Sequence, residues 1–143
     1  MGDDRAVIAS SEQLRQRMQR QRQKDTKPEL AIRRILHARG YRYRVNYPIP
    51  GSRAKADVAF TRLRIAIFVD GCFWHQCPAH GTLPKQNRKW WEAKLAANVR
   101  RDTEIDKHLG SRGWTVLRIW EHDPPSAAVA RIESLVHAMQ ATR

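Results

Sequence analysis

The stretch Arg64-Ile65-Ala66-Ile67-Phe68-Val69-Asp70 contains the longest apolar run of the chain. A short, nearly continuous apolar run that ends in a charged residue is typical of a central strand with both faces covered. A second apolar run, residues 56–60, precedes it and is separated from it only by Thr61-Arg62-Leu63. We therefore expect two neighbouring strands joined by a tight connection, the second of which ends at Asp70.

Helical and strand patterns continue from this pair of strands in both directions. Their order, α-β-β-β-α-β-α, predicts an α/β fold in which one mixed β-sheet carries helices on both faces. The predicted elements are a helix from the capping pattern Thr26-Lys27-Pro28-Glu29 to Gly40, strands over 41–47, 56–60, 64–70 and 114–120, a helix over 87–109, and a last helix capped by Ser126.

Each predicted helix has an apolar side that we expect to pack on the sheet. Trp90 and Trp91 are consecutive, so we expect one of them to face the core and the other not to. The expected buried residues are Leu30, Ile35 and Leu36 in the first helix, Trp91, Leu95, Val99 and Leu109 in the second, and Val129, Ile132, Val136 and Met139 in the third.

The chain is strongly basic. Its 143 residues contain 27 Lys and Arg against 14 Asp and Glu, which gives a formal net charge of +13. This excess predicts a polyanionic partner, with nucleic acid as the first candidate and a merely soluble basic protein as the alternative. No stretch is apolar and long enough for a membrane span or a secretory signal, so we expect a cytoplasmic protein that acts at the nucleoid and contacts no membrane.

Residues 1–24 are rich in cations, and only Leu14 and Met18 offer an apolar stripe for a helix in this part. Such a segment buries too little apolar surface to fold alone, so we expect a flexible basic arm that becomes ordered on its partner. One domain over residues 25–143 follows. The cations of the arm that we expect to contact DNA are Arg17, Arg20, Arg22 and Lys24.

A group of metal-binding residue types follows the apolar strand. Cys72, Cys77 and His80 have the spacing Cys-x4-Cys-x2-His, and His122 lies just beyond the predicted fourth strand. Two thiolates and two imidazoles fill the tetrahedral sphere of a structural zinc ion. The alternative is a pair of inert thiols with unrelated histidines.

Two carboxylates belong to neighbouring predicted strands. Asp57 lies within an apolar strand, and Asp70 ends the next one. Converging carboxylates at a sheet edge suit Mg²⁺, and an unpaired acid in an apolar strand requires a partner of some kind. The alternative is a simple ion pair of Asp57 with Lys55, Arg53 or Arg64.

The segment after Asp70 also carries a spare imidazole and bulky aromatic residues. His75 is left over if zinc takes the other four ligands, so it is a candidate general base for an attacking water, the alternative being a surface histidine. Phe73 and Trp74 stand between the proposed zinc ligands. Exposed aromatic residues near cations are suited to stacking on bases or to wedging between base pairs.

Together these motifs resemble the very-short-patch repair (Vsr) endonucleases, over residues 18 to about 125. The resemblance implies a restriction-endonuclease-like three-layer fold and a Mg²⁺-dependent cut in one strand of duplex DNA. In that family the cut lies beside the T of a T:G mismatch that deamination of 5-methylcytosine leaves. The motifs are Phe68-Val69-Asp70-Gly71-Cys72-Phe73-Trp74-His75, Cys77-Pro78-Ala79-His80-Gly81-Thr82, Trp91, Asn98-Val99-Arg100-Arg101-Asp102 and Trp120-Glu121-His122.

The resemblance also implies roles for single residues. Asp57 would be the principal Mg²⁺ ligand with the backbone carbonyl of Val69, and Glu29 would reach the water shell of the metal. His75 would activate water, oriented by Asp102. Asp70 would be a second metal ligand or an anchor of the following loop. The aromatic wedge beside the mismatch would comprise Phe73, Trp74 and Trp91.

The nuclease superfamily usually continues with an acid-x-Lys motif, whereas Asp70-Gly71-Cys72 contains no lysine, which implies a histidine-based variant. The resemblance further implies double-stranded DNA as partner, action as a monomer, an arm that grips the opposite groove, and a functional link to a cytosine-5 DNA methyltransferase. Two other hypotheses stay open at this point. One is a related nuclease of the restriction type that reads a modified base or a sequence, and the other is a zinc-containing DNA-binding module without catalysis.

Overall fold

The computed structural model describes residues 26–71 and 85–142. The elements in these two ranges follow one another in the predicted order, α-β-β-β-α-β-α. None of their helices combines the length and the apolar character needed to cross a membrane. In chain order the elements are α1 (Lys27–Ala38), β1 (Arg44–Pro48), β2 (Lys55–Phe60), β3 (Ile65–Asp70), α2 (Arg88–Ser111), β4 (Thr115–Trp120) and α3 (Pro125–Ala141).

The four described strands form one mixed sheet in the order β1-β2-β3-β4. β2 pairs with β1 and with β3 in antiparallel fashion, while β3 and β4 are parallel. The parallel pair places the carboxyl ends of β3 and β4 at the same edge, with Asp70 opposite Trp120. The prediction of a mixed sheet is therefore confirmed, and the apolar run around Phe68 is one of its two central strands.

Two apolar clusters lie on the two faces of the sheet. On one face α1 and α3 contribute Leu36 and Ile132 to a cluster with Ile67, and on the other face Leu109 of α2 packs with Ala66 and Phe68. Alternate residues of β3 thus enter opposite clusters, which is why its sequence is apolar throughout. The three-layer arrangement agrees with the prediction of helices on both faces of one sheet.

The start of α1 differs from the predicted capping box. Thr26 is the N-cap residue, but its side chain makes no capping hydrogen bond. Glu29 is only 4% exposed and pairs instead with Arg33, so its position in the first turn has another purpose. The buried apolar residues of α1 are Ile32 and Leu36, whereas the expected Leu30 and Ile35 are only half-buried.

Other boundaries shift by a few residues. β1 covers Arg44–Pro48 rather than 41–47, because Tyr41 and Tyr43 turn their rings onto Phe60 at centroid distances of 6.0 and 6.4 Å. Pro48 ends this strand instead of lying outside it, which an edge strand tolerates. α3 begins at Pro125 rather than after a Ser126 cap, since proline suits a first helical turn.

The buried faces of the two later helices largely follow the prediction. Val129, Ile132 and Val136 are buried, while Met139 is half-buried. In α2 the residue buried beside Trp91, Leu95 and Leu109 is Asn98, and the expected Val99 is half-buried.

Candidate active site

Asp57 lies where β2 and β3 separate. The antiparallel ladder ends at Val58 opposite Ile67, and beyond that pair the backbone N–H of Val69 donates to Asp57 Oδ2 at 2.7 Å. The Asp57 carboxylate thus accepts the backbone hydrogen bond of Val69 that a carbonyl of β2 would accept in a regular ladder. We call this place, comprising Asp57, Val69 and Asp70, the strand fork.

Two further carboxylates flank Asp57 at the strand fork, one from each face of the sheet. Glu29 comes from α1 on one face, and Asp70 is turned toward α2 on the other; they are 4% and 6% exposed. Burial raises the pKa of Asp57 to about 7; the Val69 N–H opposes this, whereas the charges of Glu29 and Asp70 and a hydrogen bond with Glu29 add to it. The fork therefore concentrates negative charge that a cation would relieve.

The simple ion pairs considered for Asp57 are not found. Within residues 26–71 and 85–142, neither Lys55, Arg53 nor Arg64 forms a salt bridge with Asp57; its contacts are the Val69 N–H and Glu29. The two predicted carboxylates do approach one another. However, Arg118 Nη1 donates to both oxygens of Asp70, at 3.0 and 3.2 Å.

Arg118 on β4 binds carboxylates from two other elements. Its Nε donates to both oxygens of Asp106 at 3.0 Å and its Nη2 donates to Asp106 Oδ1 at 2.7 Å. Nη1 also lies 3.8 Å from Asp102 Oδ1, and the guanidinium carbon stands 4.6 Å from the ring centre of Phe68. Sequence reasoning missed this residue, although a charged side chain in the otherwise apolar run Val116–Trp120 was a usable signal.

Asn46 is a second feature that the sequence did not reveal. The β1–β2 register pairs Val45 with Val58 and Tyr47 with Ala56, so Asn46 falls opposite Asp57. Its backbone has φ = 47°, a left-handed conformation that asparagine adopts more readily than most residues. The sheet is therefore irregular on both sides of the Asp57 carboxylate.

His122, one of the predicted zinc ligands, follows the carboxyl end of β4, which lies beside the end of β3. The Glu121 N–H donates to the Asp70 carbonyl at 2.9 Å, so the chain leaves β3 beside the residue that precedes His122. The His122 ring is stacked on Trp120 with 6.4 Å between centroids, and its Nε2 lies 3.7 Å from Asp123 Oδ1.

Several predicted site residues fall outside the described ranges, and their roles stay predictions. Trp91 is described: its ring is fully buried and packs edge-to-face against Trp90, which is 44% exposed. The expected division between one core and one outward tryptophan is confirmed, and contact of Trp91 with DNA would require its surroundings to move. The residues outside are Cys72, Phe73, Trp74, His75, Cys77 and His80 near the fork, and Arg17, Arg20, Arg22 and Lys24 in the arm.

The donors of the strand fork fit Mg²⁺. In the described part of the chain no three His, Cys, Asp or Glu side chains are grouped so that they alone could hold a metal ion. Mg²⁺, however, is commonly bound through one or two carboxylates and several waters. Asp57 and Glu29 supply two carboxylates, and the raised pKa of Asp57 shows the charge that such an ion would offset.

Comparison with known proteins identifies the family of this chain. The family model described as DNA mismatch endonuclease Vsr matches residues 7–80. The Type II nicking enzyme V.NaeI of Lentzea aerocolonigenes is 43% identical over 126 residues, 86% of this chain and 76% of that protein. The Type II nicking enzyme V.NmeDIP of Neisseria meningitidis is 43% identical over 115 residues, 78% and 76% of the two chains. The DNA mismatch endonuclease Vsr of Escherichia coli is 32% identical over 100 residues, 68% and 62% of the two chains. The chain is therefore a DNA endonuclease and belongs to the Vsr family.

Proposed function

We propose that this endonuclease nicks one strand of duplex DNA at T:G mismatches left by deamination of 5-methylcytosine, by Mg²⁺-dependent hydrolysis. The observation that carries the proposal is the Asp57 carboxylate at the strand fork, faced by Glu29 and Asp70 in a strongly basic chain. A basic body brings the DNA backbone to the protein, and an acidic fork supplies the place for a divalent cation. The relative from Escherichia coli, named a DNA mismatch endonuclease, supports the mismatch as the substrate.

In the proposed mechanism each residue has a separate task. Asp57 and the Val69 carbonyl would hold Mg²⁺, which supplies charge neutralisation at the scissile phosphate. Glu29 would orient water at the fork. His75 would accept the proton of the attacking water, and Asp102 would keep its imidazole in the required orientation. Phe73 and Trp74 would contact the bases beside the mismatch, and Trp91, whose ring is fully buried, would join them after its surroundings move.

The remaining partners are proposed on the same basis. Cutting a single strand requires only one active site, so we propose a monomer on double-stranded DNA. A T:G mismatch that arises from 5-methylcytosine presupposes methylation, which implies the functional link to a cytosine-5 DNA methyltransferase. A binding module without catalysis is disfavoured, since the similar proteins are named as nicking enzymes and an endonuclease.

A second candidate substrate is a defined sequence rather than the mismatch itself. This chain is 43% identical to V.NaeI, a protein named a Type II nicking enzyme, and 32% identical to the protein named a mismatch endonuclease. That difference favours nicking within a particular sequence context. The two properties are separable, because a mismatch and its flanking bases can be varied independently.

We expect a T:G mismatch to be nicked at least about tenfold faster than the matched duplex in the same context, since one wrong base pair typically changes binding by about 1–3 kcal/mol. The measurement is the initial rate on labelled duplexes that are matched, methylated or mismatched, each in several flanking sequences. Equal rates on matched and mismatched duplexes of one sequence would replace the mismatch proposal by sequence-directed nicking.

We also propose a structural zinc ion bound by Cys72, Cys77, His80 and His122. The described part supports the inclusion of His122, because the Glu121 N–H donates to the Asp70 carbonyl, so the end of β3 lies beside the residue that precedes His122. Zinc binding and folding are coupled where a loop has little apolar surface of its own.

Elemental analysis should find about one zinc ion per chain, and Cys77→Ser should lower both the zinc content and the unfolding temperature. His122→Ala should lower zinc content, whereas the exposed His137 on α3 provides a matched His→Ala control that retains it. Purified protein without zinc, or equal zinc in the two histidine variants, would contradict this assignment.

A further inference from the structure

Arg118 joins three elements of the domain at the strand fork. From β4 it reaches Asp70 at the end of β3, and it reaches Asp102 and Asp106 on α2. The Arg118 side chain is 21% exposed, and the Asp70 side chain is 8% exposed. The pair of Arg118 and Asp70 therefore lies largely out of solvent.

Stability of the fold does not account for this arrangement. A largely buried ion pair is often no more stabilising than apolar residues of similar volume. Among the described residues, Arg118 faces three carboxylates, so like charges of Asp70, Asp102 and Asp106 also oppose one another. A single acid on α2, such as Asp106, would be enough to pair with Arg118 and hold the helix on the sheet.

The contacts of Arg118 divide into two groups on different nitrogen atoms. Nε and Nη2 bind Asp106 and thus connect β4 with the C-terminal half of α2. Nη1 binds both oxygens of Asp70, which immediately precedes Gly71 and the segment that carries the predicted catalytic His75. The first group is an anchor of the helix, while the second acts on the strand fork.

We propose that Arg118 is a positioning residue of the nicking reaction, which acts by holding the Asp70 carboxylate on the α2 side of the strand fork. Asp70 is then an anchor for the end of β3 rather than a second metal ligand. The same guanidinium lies 3.8 Å from Asp102, so it also restrains the carboxylate proposed to orient His75. The proposal rests on the endonuclease activity of the family and does not depend on which duplex is preferred.

The two groups of contacts can be separated by substitution. Arg118→Met removes the contact at the fork and Asp70→Asn removes the ion pair there, whereas Asp106→Asn weakens only the anchor on α2. If Arg118 acts through Asp70, removing the second partner after the first has little further effect, and the double variant Asp70→Asn/Arg118→Met will be non-additive.

The test is the single-turnover nicking rate at saturating Mg²⁺ and DNA, on whichever duplex the wild type cuts fastest. We expect Arg118→Met and Asp70→Asn each to lose about 10–100-fold in rate, the range seen when residues that support metal ligands are changed. The double variant should lose no more than the worse single variant. Asp106→Asn should stay within about threefold of wild type, and Arg118→Lys should recover part of the loss. DNA affinity in EDTA should be unchanged in Arg118→Met and Arg118→Lys, because the Arg118 side chain is only 21% exposed.

Two results would overturn the proposal: a rate for Asp106→Asn as low as that of Arg118→Met, or additive losses in the double variant. Either would mean that Arg118 merely packs α2 against the sheet. Circular dichroism and the unfolding temperature report whether Arg118→Met is folded. If Arg118→Met is not folded, a double-mutant cycle of Asp70→Asn with Arg118→Lys tests in its place whether Arg118 acts through Asp70. All rates are expressed relative to wild type on the duplex that it cuts fastest. The test therefore remains valid even if the wild type shows no preference for the mismatch.

Discussion

Asp57→Asn is expected to lower the rate of strand nicking by about 10³-fold or more. Loss of several kcal/mol of charge stabilisation in the transition state corresponds to a factor of this size. Asparagine has nearly the same shape as aspartate and can still accept the Val69 N–H that Asp57 accepts at 2.7 Å. The variant therefore keeps the contact at the strand fork and loses the negative charge that is proposed to hold the cation.

The measurement is a single-turnover nicking assay over a range of Mg²⁺ concentrations. Glu133→Gln is a matched control, because Glu133 accepts a hydrogen bond from the Tyr41 hydroxyl at 2.9 Å at the end of α1 opposite to Glu29. The control should nick at the wild-type rate. Nicking by Asp57→Asn within about tenfold of wild type would remove Asp57 from the chemistry, since effects of charged metal ligands are much larger.

The architecture was accessible from sequence because it rests on apolar periodicity. Ile65–Asp70 is apolar at every position up to Asp70 since its two sides pack against helices on both faces of the sheet, and this pattern predicted a central strand correctly. Element ends were less accurate, because they depend on side chains that pack across the sheet. Tyr41 and Tyr43 illustrate this: their alternation resembles a strand, but their rings are held by Phe60.

Only part of the candidate site could be predicted from the sequence. An acid in an apolar strand identified Asp57, yet its partners depend on tertiary register that no local pattern contains. Glu29 matched a capping motif three residues along the chain, but the structure places it beside Asp57 and Arg33 instead. The partners of Arg118 were likewise invisible, since Asp70 and Arg118 are 48 residues apart in sequence.

Three of the predicted zinc ligands (Cys72, Cys77 and His80), His75 and the basic arm lie outside the described residues, so their roles stay predictions. Their assignment still rests on spacing and on the family resemblance. The described part adds one contact, from the Glu121 N–H to the Asp70 carbonyl, which places the end of β3 beside the residue that precedes His122. Zinc content and the histidine variants test the rest.

Asp57→Asn is also expected to make the metal-free protein more stable, by an amount that grows with pH. Burial raises the pKa of Asp57 from 3.8 to about 7, so between these values the folded chain binds a proton that the unfolded chain releases. The contribution of Asp57 to the stability of the wild type therefore falls as pH rises from about 4 to about 7, and it is level above that. The asparagine side chain is uncharged at all these pH values, so the variant does not lose stability in this way as pH rises.

The size of the effect follows from the shift. About three pKa units at about 1.4 kcal/mol each give about 4 kcal/mol, which solvent screening of the partly exposed carboxylate reduces to about 2–3 kcal/mol at pH 8. At pH 5 the advantage of the variant should be less than half as large. For a chain of this length the difference at pH 8 corresponds to an unfolding temperature higher by about 6–10 °C.

Thermal or urea unfolding in EDTA at pH 5 and pH 8 measures this prediction. Glu133→Gln again serves as control and should show no gain with pH. An advantage of Asp57→Asn that is equal at the two pH values would contradict a raised pKa at the strand fork. Addition of Mg²⁺ should narrow the difference at pH 8, since an ion that binds only the folded wild type stabilises it by mass action. The carboxylate that lowers the stability of the metal-free fold would then be the one that the proposed nicking reaction uses, because both effects would arise from one buried charge between β2 and β3.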